Sequence, residues 1–287
     1  MDEIVRLGQT SQAPANVRAT YRVVIVDYGK AAAVTTLLSQ LALQTLQPES
    51  VAVLDNAPSP RSDEAINAAL ELPFHVDYQH FPENIGYSRA CNIGAKGECT
   101  FLLFLNPDIE FVSTETMRDV IDQVLALGID GPVGVSQRNP DGTFEVVARR
   151  VPTLGAIIAR RVPALAPLFT TSVQRYTAAY ANEHTVGHAP IEPAEWLQSS
   201  FLLVPRSTWK QVGPFDERYF VFMADVDFGL RCWNAGKPSH LLRNHCIAAD
   251  GLRSSRGGVL DIFRSRSLRI HLRDALKFFL CSRRLRS

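Results

Sequence analysis

The apolar stretch YRVVIV at residues 21–26 predicts a buried β-strand, and the elements that follow it decide the fold class. The chain then alternates between segments typical of helices and of strands, at residues 31–46, 51–54, 63–70, 74–79, 87–94 and 101–105. Strands that alternate with helices at this spacing indicate a parallel sheet covered by helices. We therefore expect an α/β fold.

The composition fits a folded protein with a sizeable core. Of the 287 residues, 46% are hydrophobic and 21% are charged, which excludes wholesale disorder. The 30 Lys and Arg residues nearly balance the 29 Asp and Glu residues, so we expect no nucleic-acid partner. The five cysteines are scattered and contain no CxxC pair, which predicts neither a zinc site nor a disulfide scaffold.

Two features bear on where the protein works. The N-terminus is acidic and lacks the order of a secretory signal, and no apolar run approaches the roughly 20 residues that a membrane span needs. Scattered cysteines favour a reducing compartment. We expect a cytoplasmic protein, and a peripheral position on the inner face of the plasma membrane stays open because of the C-terminal segment.

The C-terminal segment differs from the rest of the chain in charge. Residues 252–287 contain ten Lys or Arg and two Asp residues, a net charge of +8. Within residues 259–280, apolar and basic residues alternate at helical spacing, and the apolar stripe comprises Leu268, Leu272, Ala275, Leu276 and Phe279. Such a helix can lie on an anionic membrane, or it can pack on the catalytic domain or in a homodimer with its arginines solvated.

Polar residues directly follow three of the predicted strands. Asp27, Asp55 and the stretch Asn106-Pro-Asp108 stand at these strand ends, where ligands bind in parallel sheets. Each aspartate taken singly is as typical of a turn or a helix cap. Three at successive strand ends favour a ligand site, and the Asp108 carboxylate suits a hard divalent cation that bridges to phosphate oxygens.

A second acidic cluster lies in the segment GPFDERYFVFMADVDFGLR at residues 213–231. Asp225 and Asp227 are two residues apart at a predicted helix start, so their side chains point in different directions. One carboxylate can face a pocket and accept a proton from a sugar hydroxyl, while the other caps the helix. Between the two halves, residues 141–193 are irregular and are expected to shape or cover a substrate cleft, and a strand resumes at Trp196.

Four motifs in order carry a family resemblance: NIGYSRACNIG at 84–94, LFLNPD at 103–108, GPFDE at 213–217, and DVD at 225–227 with Leu230-Arg231 and Gly236. Over roughly residues 21–257 the chain resembles the inverting family 2 glycosyltransferases, nearest to their bacterial rhamnosyltransferase-like branch. The resemblance implies a GT-A fold, a Rossmann-like and mostly parallel central sheet flanked by helices. The implied organisation is a flexible arm (1–20), a catalytic domain (21–250) with a nucleotide-sugar half (about 21–110) and an acceptor half (about 111–250), and a lid loop with an amphipathic helix (251–287).

The resemblance also implies roles for single residues. For the nucleotide sugar they are Asp27, Asp55, Asn84, Gly86, Asn92 and Asn106, with Arg253 and Arg256 in the lid. Asp108 takes the place of the last acid of the metal-binding Asp-x-Asp and would help to hold Mg²⁺ or Mn²⁺. Asp225 matches the general base. Trp196 and Asp227 are candidates for acceptor binding. The late metal-ligating histidine is replaced by Ala249 or Asp250, so Asp250 and the nearby His245 are both candidate ligands, although a structural hydrogen bond is the more ordinary use of such a histidine.

The chain departs from the family pattern at Ala224, where a glutamate is usual, and at Gly29, where an asparagine is common. Loss of a like charge beside Asp225 is expected to lower the pKa of that residue. The predicted function is metal-dependent, inverting transfer of a sugar onto a saccharide or polyprenyl-linked acceptor in cell-surface polysaccharide synthesis. The donor is expected to be dTDP-rhamnose, or else a UDP-hexose.

Two other functions remain open at this stage. The first is a catalytically impaired protein on the same fold that binds nucleotide sugar or acts as a scaffold. The second, a sugar-nucleotide pyrophosphorylase, is less favoured because no Gly-rich, basic triphosphate loop follows the first strand. The transferase hypothesis requires Asp108 and Asp225 to meet across one cleft.

Overall fold

The computed structural model describes residues 19–58, 72–161, 163–177, 191–249 and 266–281. Several predictions fall outside these residues and stay predictions: most of the N-terminal arm, the helix at 63–70, and the lid loop with Asp250, Arg253 and Arg256.

The first half of the chain forms the predicted parallel sheet. Its strands are β1 (Tyr21–Asp27), β2 (Ser50–Asp55), β3 (His75–His80) and β4 (Phe101–Leu105), and its helices are α1 (Ala31–Ala42) and α2 (Tyr87–Gly94). The four strands lie side by side in the order β3-β2-β1-β4, and each pair is parallel. β1 and β4 are almost wholly apolar because helices cover both faces of the sheet.

The second half contributes shorter elements. Its strands are β5 (Ile109–Phe111), β6 (Val133–Arg138), β7 (Ala148–Arg149), β8 (Ile191–Ala194), β9 (Trp196–Leu197), β10 (Phe201–Pro205) and β11 (Ser239–Ala249). Its helices are α3 (Thr116–Ala126), α4 (Leu154–Arg161), a 3-10 helix (Pro163–Phe169), α5 (Thr170–Thr177), α6 (Arg206–Val212), α7 (Ala224–Asn234) and α8 (Arg266–Cys281).

One sheet joins the two halves. Beyond β4 it continues in the order β10-β6-β11-β5, and β8 pairs with β11. β10 runs antiparallel to both β4 and β6, which makes the sheet mixed at its centre. The sequence predicts one strand from Trp196 to Val204, but a turn at Ser199-Ser200 divides it into β9 and β10. That turn lies beside the end of β4, because Phe201 pairs with Leu105.

A hydrophobic core lies on each face of the sheet. On one face, Val23 and Ile25 of β1 pack with buried residues of α1 and α3. On the other, Val24 packs with buried residues of α2, α7 and α8. The alternation along β1 follows from the two-residue period of a strand and explains why helices from distant parts of the sequence share a core.

Helix α8 confirms the helix that is predicted near the C-terminus and resolves its two faces. Ala275 and Phe278 are buried in the core, whereas Leu272, Leu276 and Leu280 are 52%, 59% and 68% exposed. Of the helices that the structure describes, none combines the length and apolar character needed to cross a bilayer.

Candidate functional site

The carboxyl ends of β1, β2 and β4 form one edge of the sheet. Asp27 and Asp55 are register partners at this edge, and both are buried. Oδ1 of Asp27 accepts a hydrogen bond from the backbone N–H of Lys30 at 2.7 Å, which shapes the turn after β1. The sheet therefore places Asp27 and Asp55, two of the predicted strand-end residues, side by side.

The Asp55 carboxylate is engaged within the protein. Oδ1 accepts a hydrogen bond from the N–H of Ala57 at 2.8 Å, and Oδ2 accepts one from the Tyr78 hydroxyl at 2.6 Å. His80 Nδ1 lies 3.4 Å from Oδ2. These contacts tie β2 to β3, so Asp55 stabilises the edge whether or not it also contacts a nucleotide.

Asp108 lies just beyond β4 and carries a cationic partner. The Lys30 ammonium is 2.7 Å from Asp108 Oδ2, and the Asp108 side chain is 17% exposed. The next residue, Ile109, pairs with Ala249, the last described residue of β11. The strand that leads to Asp250 therefore ends beside Asp108.

The donor set at Asp108 is small but chemically suitable for a divalent cation. Within the described ranges, no three His, Cys, Asp or Glu side chains come together. A cation held by Asp108 would take most of its remaining ligands from water and from diphosphate oxygens, as Mg²⁺ commonly does. The Lys30 contact shows that this carboxylate accommodates positive charge.

The loop before α2 is fixed by its own polar groups. Oδ1 of Asn84 accepts the N–H of Gly86 at 2.9 Å, and Oδ1 of Asn56 accepts the N–H of Ile85 at 3.3 Å. Gly86 has φ +90°, and a Cβ built on it would lie 2.7 Å from the carbonyl oxygen of Phe220. The glycine is required because the backbone before α7 approaches this closely.

The Asn92 side chain links α2 to the segment that precedes α7. Its Nδ2 donates to the carbonyl oxygen of Phe215 at 2.9 Å and to Glu217 Oε1 at 3.0 Å, and its Oδ1 accepts the N–H of Phe215 at 3.0 Å. All of these bonds fasten α2 to the GPFDE turn. Asn92 thus has a structural role at this turn, and its assignment to the nucleotide stays a prediction.

Asp225 stands at the start of α7, facing the turn between β9 and β10. Its Oδ1 accepts the N–H of Val226 at 2.9 Å, and its Oδ2 accepts the N–H of Ser199 at 3.4 Å. The neighbouring Ser200 accepts the N–H of Asn106 through its carbonyl oxygen at 3.0 Å. One turn therefore connects Asp225 to the Asn106-Pro-Asp108 stretch, and both lie at the same edge of the sheet.

Burial raises the pKa of Asp225 above the usual aspartate range. The hydrogen bonds from Val226 and Ser199 and the charge of Arg149 act in the opposite direction without cancelling this effect. Ala224, in the position of the missing glutamate, is 1% exposed. Burial therefore sets the direction of this pKa relative to an ordinary aspartate. The expected lowering is relative to a chain with glutamate at position 224 and stays a prediction.

The Tyr87 hydroxyl and the Cys91 thiol of α2 lie close enough to Asp225 to feel its charge. Burial raises the pKa of both Tyr87 and Cys91, and the Asp225 charge contributes to both shifts. The Tyr87 hydroxyl donates to the carbonyl oxygen of Ser199 at 3.4 Å. Because these groups hold their protons, a charged Asp225 meets no competing anion from α2.

Asp227, two residues after Asp225, forms a buried ion pair. Its Oδ2 is 2.8 Å from Nε of Arg231, whose guanidinium also donates to the carbonyl oxygens of Val212 and Pro214 at 2.9 Å. Asp227 thus stabilises the junction of α6 and α7. This pair engages the Asp227 carboxylate, and the assignment of Asp227 to the acceptor stays a prediction.

The other candidate for acceptor binding, Trp196, is in the core. Its side chain is 4% exposed, and its Nε1 donates to the carbonyl oxygen of Arg150 at 2.9 Å. The Arg149 guanidinium lies 5.4 Å from its ring centroid. Trp196 therefore packs in the core beside Arg149, and its assignment to the acceptor stays a prediction.

His245 lies on the face of β11 that meets α3. Its Nε2 is 2.6 Å from Oε1 of Gln123, and burial lowers its pKa. This contact is a structural hydrogen bond, which is the more ordinary role of such a histidine. The side chain contacts α3, whereas Ala249 is the described β11 residue that pairs with Ile109, and the metal role of His245 stays a prediction.

Several residues of the site are not selected by sequence reasoning. Lys30 follows Gly29 at the end of β1, and a basic residue at a strand end is the signal that could have found it. Arg149 belongs to the Arg-rich insertion but is indistinguishable there from its neighbours. Ser199 and Asn56 carry no sequence signal, because their role is to offer a backbone N–H or a side-chain amide to distant segments.

Comparison with known proteins places this geometry in a family. Residues 22–178 match the family model described as Glycosyl transferase family 2. N-acetylglucosaminyl-diphospho-decaprenol L-rhamnosyltransferase of Mycobacterium tuberculosis, in two strains, is 33% identical over 232 residues, which are 75% of this chain and 70% of the relative.

Solved structures share the fold at low sequence identity. The TarS 1–349 structure from S. aureus has a TM-score of 0.53 at 16% identity, covering 80% of this chain and 60% of that one. A mannosyltransferase from Pyrobaculum calidifontis, solved with GDP-Man and Mn²⁺, has a TM-score of 0.56 at 14% identity, covering 91% and 65%. This chain thus spans less than two thirds of both structures, and the predicted GT-A fold is confirmed.

Proposed function

The chain belongs to glycosyltransferase family 2, and from this premise we propose that it transfers a sugar from a nucleotide diphosphate to an acceptor hydroxyl with inversion. One observation carries the proposal: the turn at Ser199-Ser200 hydrogen-bonds both Asp225 and the Asn106-Pro-Asp108 stretch. Inversion by a single displacement requires a base for the acceptor hydroxyl and, near it, a carboxylate that can hold a cation at the leaving diphosphate.

In the proposed mechanism Asp225 accepts the proton of the acceptor hydroxyl as the oxygen attacks the anomeric carbon. Because burial raises the pKa of Asp225, its ionised carboxylate is a stronger base than that of a solvated aspartate. Asp108 would hold Mg²⁺ or Mn²⁺, which when bound neutralises charge that develops on the leaving diphosphate. Lys30 would add a second positive charge at the same place.

For the substrates, we propose dTDP-rhamnose as donor and a polyprenyl-diphosphate-linked N-acetylglucosamine as acceptor. The printed name of the M. tuberculosis relative supports this choice. A UDP-hexose is the second candidate donor. It is supported by the fold shared with TarS, of which one structure contains UDP-GlcNAc.

The test is nucleotide release by the full chain with a panel of nucleotide sugars, a polyprenyl-linked acceptor and Mg²⁺ or Mn²⁺. We expect acceptor-dependent release with dTDP-rhamnose, and its loss on chelation and in Asp108→Asn. Ala224 in place of the usual glutamate favours the impaired-protein alternative. Donor binding that needs the cation, with no turnover for any donor, would support that alternative and overturn the transferase.

Arg149 offers a pH-dependent prediction. Its charge lowers the pKa of Asp225, so Arg149→Met is expected to raise that pKa further. Since only the ionised base is active, the acid limb of the kcat/KM profile should move to higher pH. Arg149→Lys, which keeps the charge, should leave the limb near its wild-type position. An unmoved limb in Arg149→Met would contradict the electrostatic link.

We also propose that the outer face of α8 contacts an anionic membrane. Leu272, Leu276 and Leu280 recur every four residues and are more than half exposed, and the exposed Arg269 and Arg273 lie on the same helix. Apolar side chains flanked by arginines complement a lipid surface that carries negative charge. Membrane binding through α8 would bring Asp108 and Asp225 close to a lipid-linked acceptor.

Leu276→Asp is expected to weaken binding to phosphatidylglycerol vesicles about tenfold or more in a cosedimentation assay, because one leucine no longer enters the lipid. Leu43→Asp is the matched control, since Leu43 is 68% exposed but lies outside α8. Equal loss in both variants, or equal binding to phosphatidylcholine vesicles by the wild type, would count against the membrane role.

A further inference from the structure

A buried carboxylate of helix α8 hydrogen-bonds the segment that precedes Asp225. The Asp274 side chain is fully buried, and its Oδ2 accepts the N–H of Val221 at 3.0 Å and the N–H of Phe222 at 3.1 Å. Its Oδ1 accepts no hydrogen bond within the part of the chain that the structure describes, and Nε of Arg273 lies 3.9 Å away. A carboxylate is costly to bury, so these two backbone bonds are a specific feature of the fold.

The two N–H groups belong to a segment under conformational strain. Met223 follows them with φ +69°, the one non-glycine residue with positive φ in the described ranges, and Asp225 lies two residues further on. A left-handed backbone costs about 1–2 kcal/mol for a residue with a side chain, so it persists only where the surroundings impose it. Asp274 fixes the residues directly before this strained position.

The same segment is held from its other side by α2. The N–H of Tyr87 donates to the carbonyl oxygen of Phe220 at 2.6 Å. Along α8, Lys277 Nζ donates to the carbonyl oxygen of Arg218 at 2.7 Å, and the His271 and Phe222 rings are 4.6 Å apart. The segment from 218 to 223 is thus clamped between α2 and α8 before it enters α7.

We infer that Asp274 is a positioning residue: by binding the N–H groups of Val221 and Phe222, it holds Met223 left-handed and directs the Asp225 carboxylate to the acceptor. This role rests on the proposed function. Helix α8 would then have two roles. Its outer face would contact lipid, and its buried Asp274 would position the Asp225 carboxylate. The required group is an oxygen acceptor at this position, because both bonds are made by one oxygen.

The test compares three substitutions in the full chain. Asp274→Asn keeps a carbonyl oxygen that can accept both N–H bonds and should retain kcat within about threefold, since hydrogen bonds to a neutral acceptor persist. Asp274→Ala removes both bonds and should lower kcat about 10- to 100-fold with the donor KM unchanged, the cost of a base displaced by about 1 Å. Asp274→Glu displaces the acceptor by one methylene and should also lower kcat.

A matched control separates positioning from general stability. Phe278→Leu removes buried volume from the same helix, where the Phe278 and Tyr219 rings are 6.4 Å apart, but leaves both N–H bonds intact. It should lower the melting temperature and retain kcat. If Asp274→Ala or Asp274→Glu is folded and has wild-type kcat, the inference is overturned. If Asp274→Ala does not fold, Asp274→Glu and Asp274→Asn still decide the matter.

A second readout distinguishes failure of this inference from failure of the proposed function. Amide hydrogen exchange of a peptide that covers residues 219–225 should be faster in Asp274→Ala and unchanged in Asp274→Asn. Exchange that behaves so in a protein without transferase activity would refute the proposed function while leaving the clamp in place. Unchanged exchange in Asp274→Ala would refute the clamp itself.

Discussion

Asp225→Asn is expected to lower kcat about 10²- to 10⁴-fold, the range by which a positioned general base accelerates proton transfer. The amide can accept the N–H bonds of Val226 and Ser199 but cannot take the proton of an acceptor hydroxyl. Burial raises the pKa of Asp225, which means that the folded protein holds the ionised form at a cost. The neutral amide should therefore leave the melting temperature at pH 7 unchanged or higher.

The matched control is Asp227→Asn, which alters the other aspartate of the same motif. Asp227 is paired with Arg231 at 2.8 Å, so its substitution should lower the melting temperature and leave kcat close to the wild-type value. Single-turnover product formation and thermal unfolding measure the two effects. The assignment of the base is wrong if Asp227→Asn loses activity as severely as Asp225→Asn while both proteins remain folded.

Gly86→Ala is expected to lower the free energy of unfolding by about 3 kcal/mol or more, because strain and overpacking add at this position. The backbone has φ +90°, and the new Cβ would lie 2.7 Å from the carbonyl oxygen of Phe220. That oxygen accepts the N–H of Tyr87, so it cannot move away without breaking the link between α2 and the segment before α7. Urea unfolding measures the change, and kcat should fall with it.

Gly97→Ala isolates the contribution of strain. Gly97 has φ +103°, but a Cβ there meets nothing within 4 Å. This variant should lose only about 1–2 kcal/mol, the cost of a positive φ for alanine. Equal losses at Gly86 and Gly97 would mean that the approach of Phe220 to Gly86 does not constrain the fold.

The first half of the fold is predictable because its signals are local. β4 is an uninterrupted, fully buried apolar run, and β1 is largely apolar apart from Arg22 and the terminal Asp27. The α2 boundaries at Tyr87 and Gly94 follow the predicted helix. β11, in contrast, mixes polar and apolar residues in SHLLRNHCIAA, and its pairing with β6 contains an irregularity between Leu242 and Cys246. A strand of that kind gives no clear periodicity, so the sequence does not reveal it.

The contacts of each side chain bear on the roles predicted for single residues. The turn at Ser199-Ser200 links Asp225 to the stretch that contains Asp108, and the meeting of the two aspartates across one cleft stays a prediction. Asn92, Asp227 and His245 have suitable chemistry but are committed to Phe215, Arg231 and Gln123, respectively. A motif specifies which residue types recur at a spacing, and it cannot distinguish a polar group that binds a ligand from one that fastens two elements together.

What the primary structure determined is the order of strands and helices in the first half of the chain, the acidic residues at strand ends and the motifs of a family 2 glycosyltransferase. Periodicity and strand-end chemistry are properties of neighbouring residues. What only the tertiary structure decided is how distant segments constrain each other. The turn at Ser199-Ser200 hydrogen-bonds both Asp225 and Asn106, and Lys30 pairs with Asp108. Asp274 accepts hydrogen bonds from the segment before α7. The physical reason is burial, because packing removes water and leaves each polar group to find its partner across the fold.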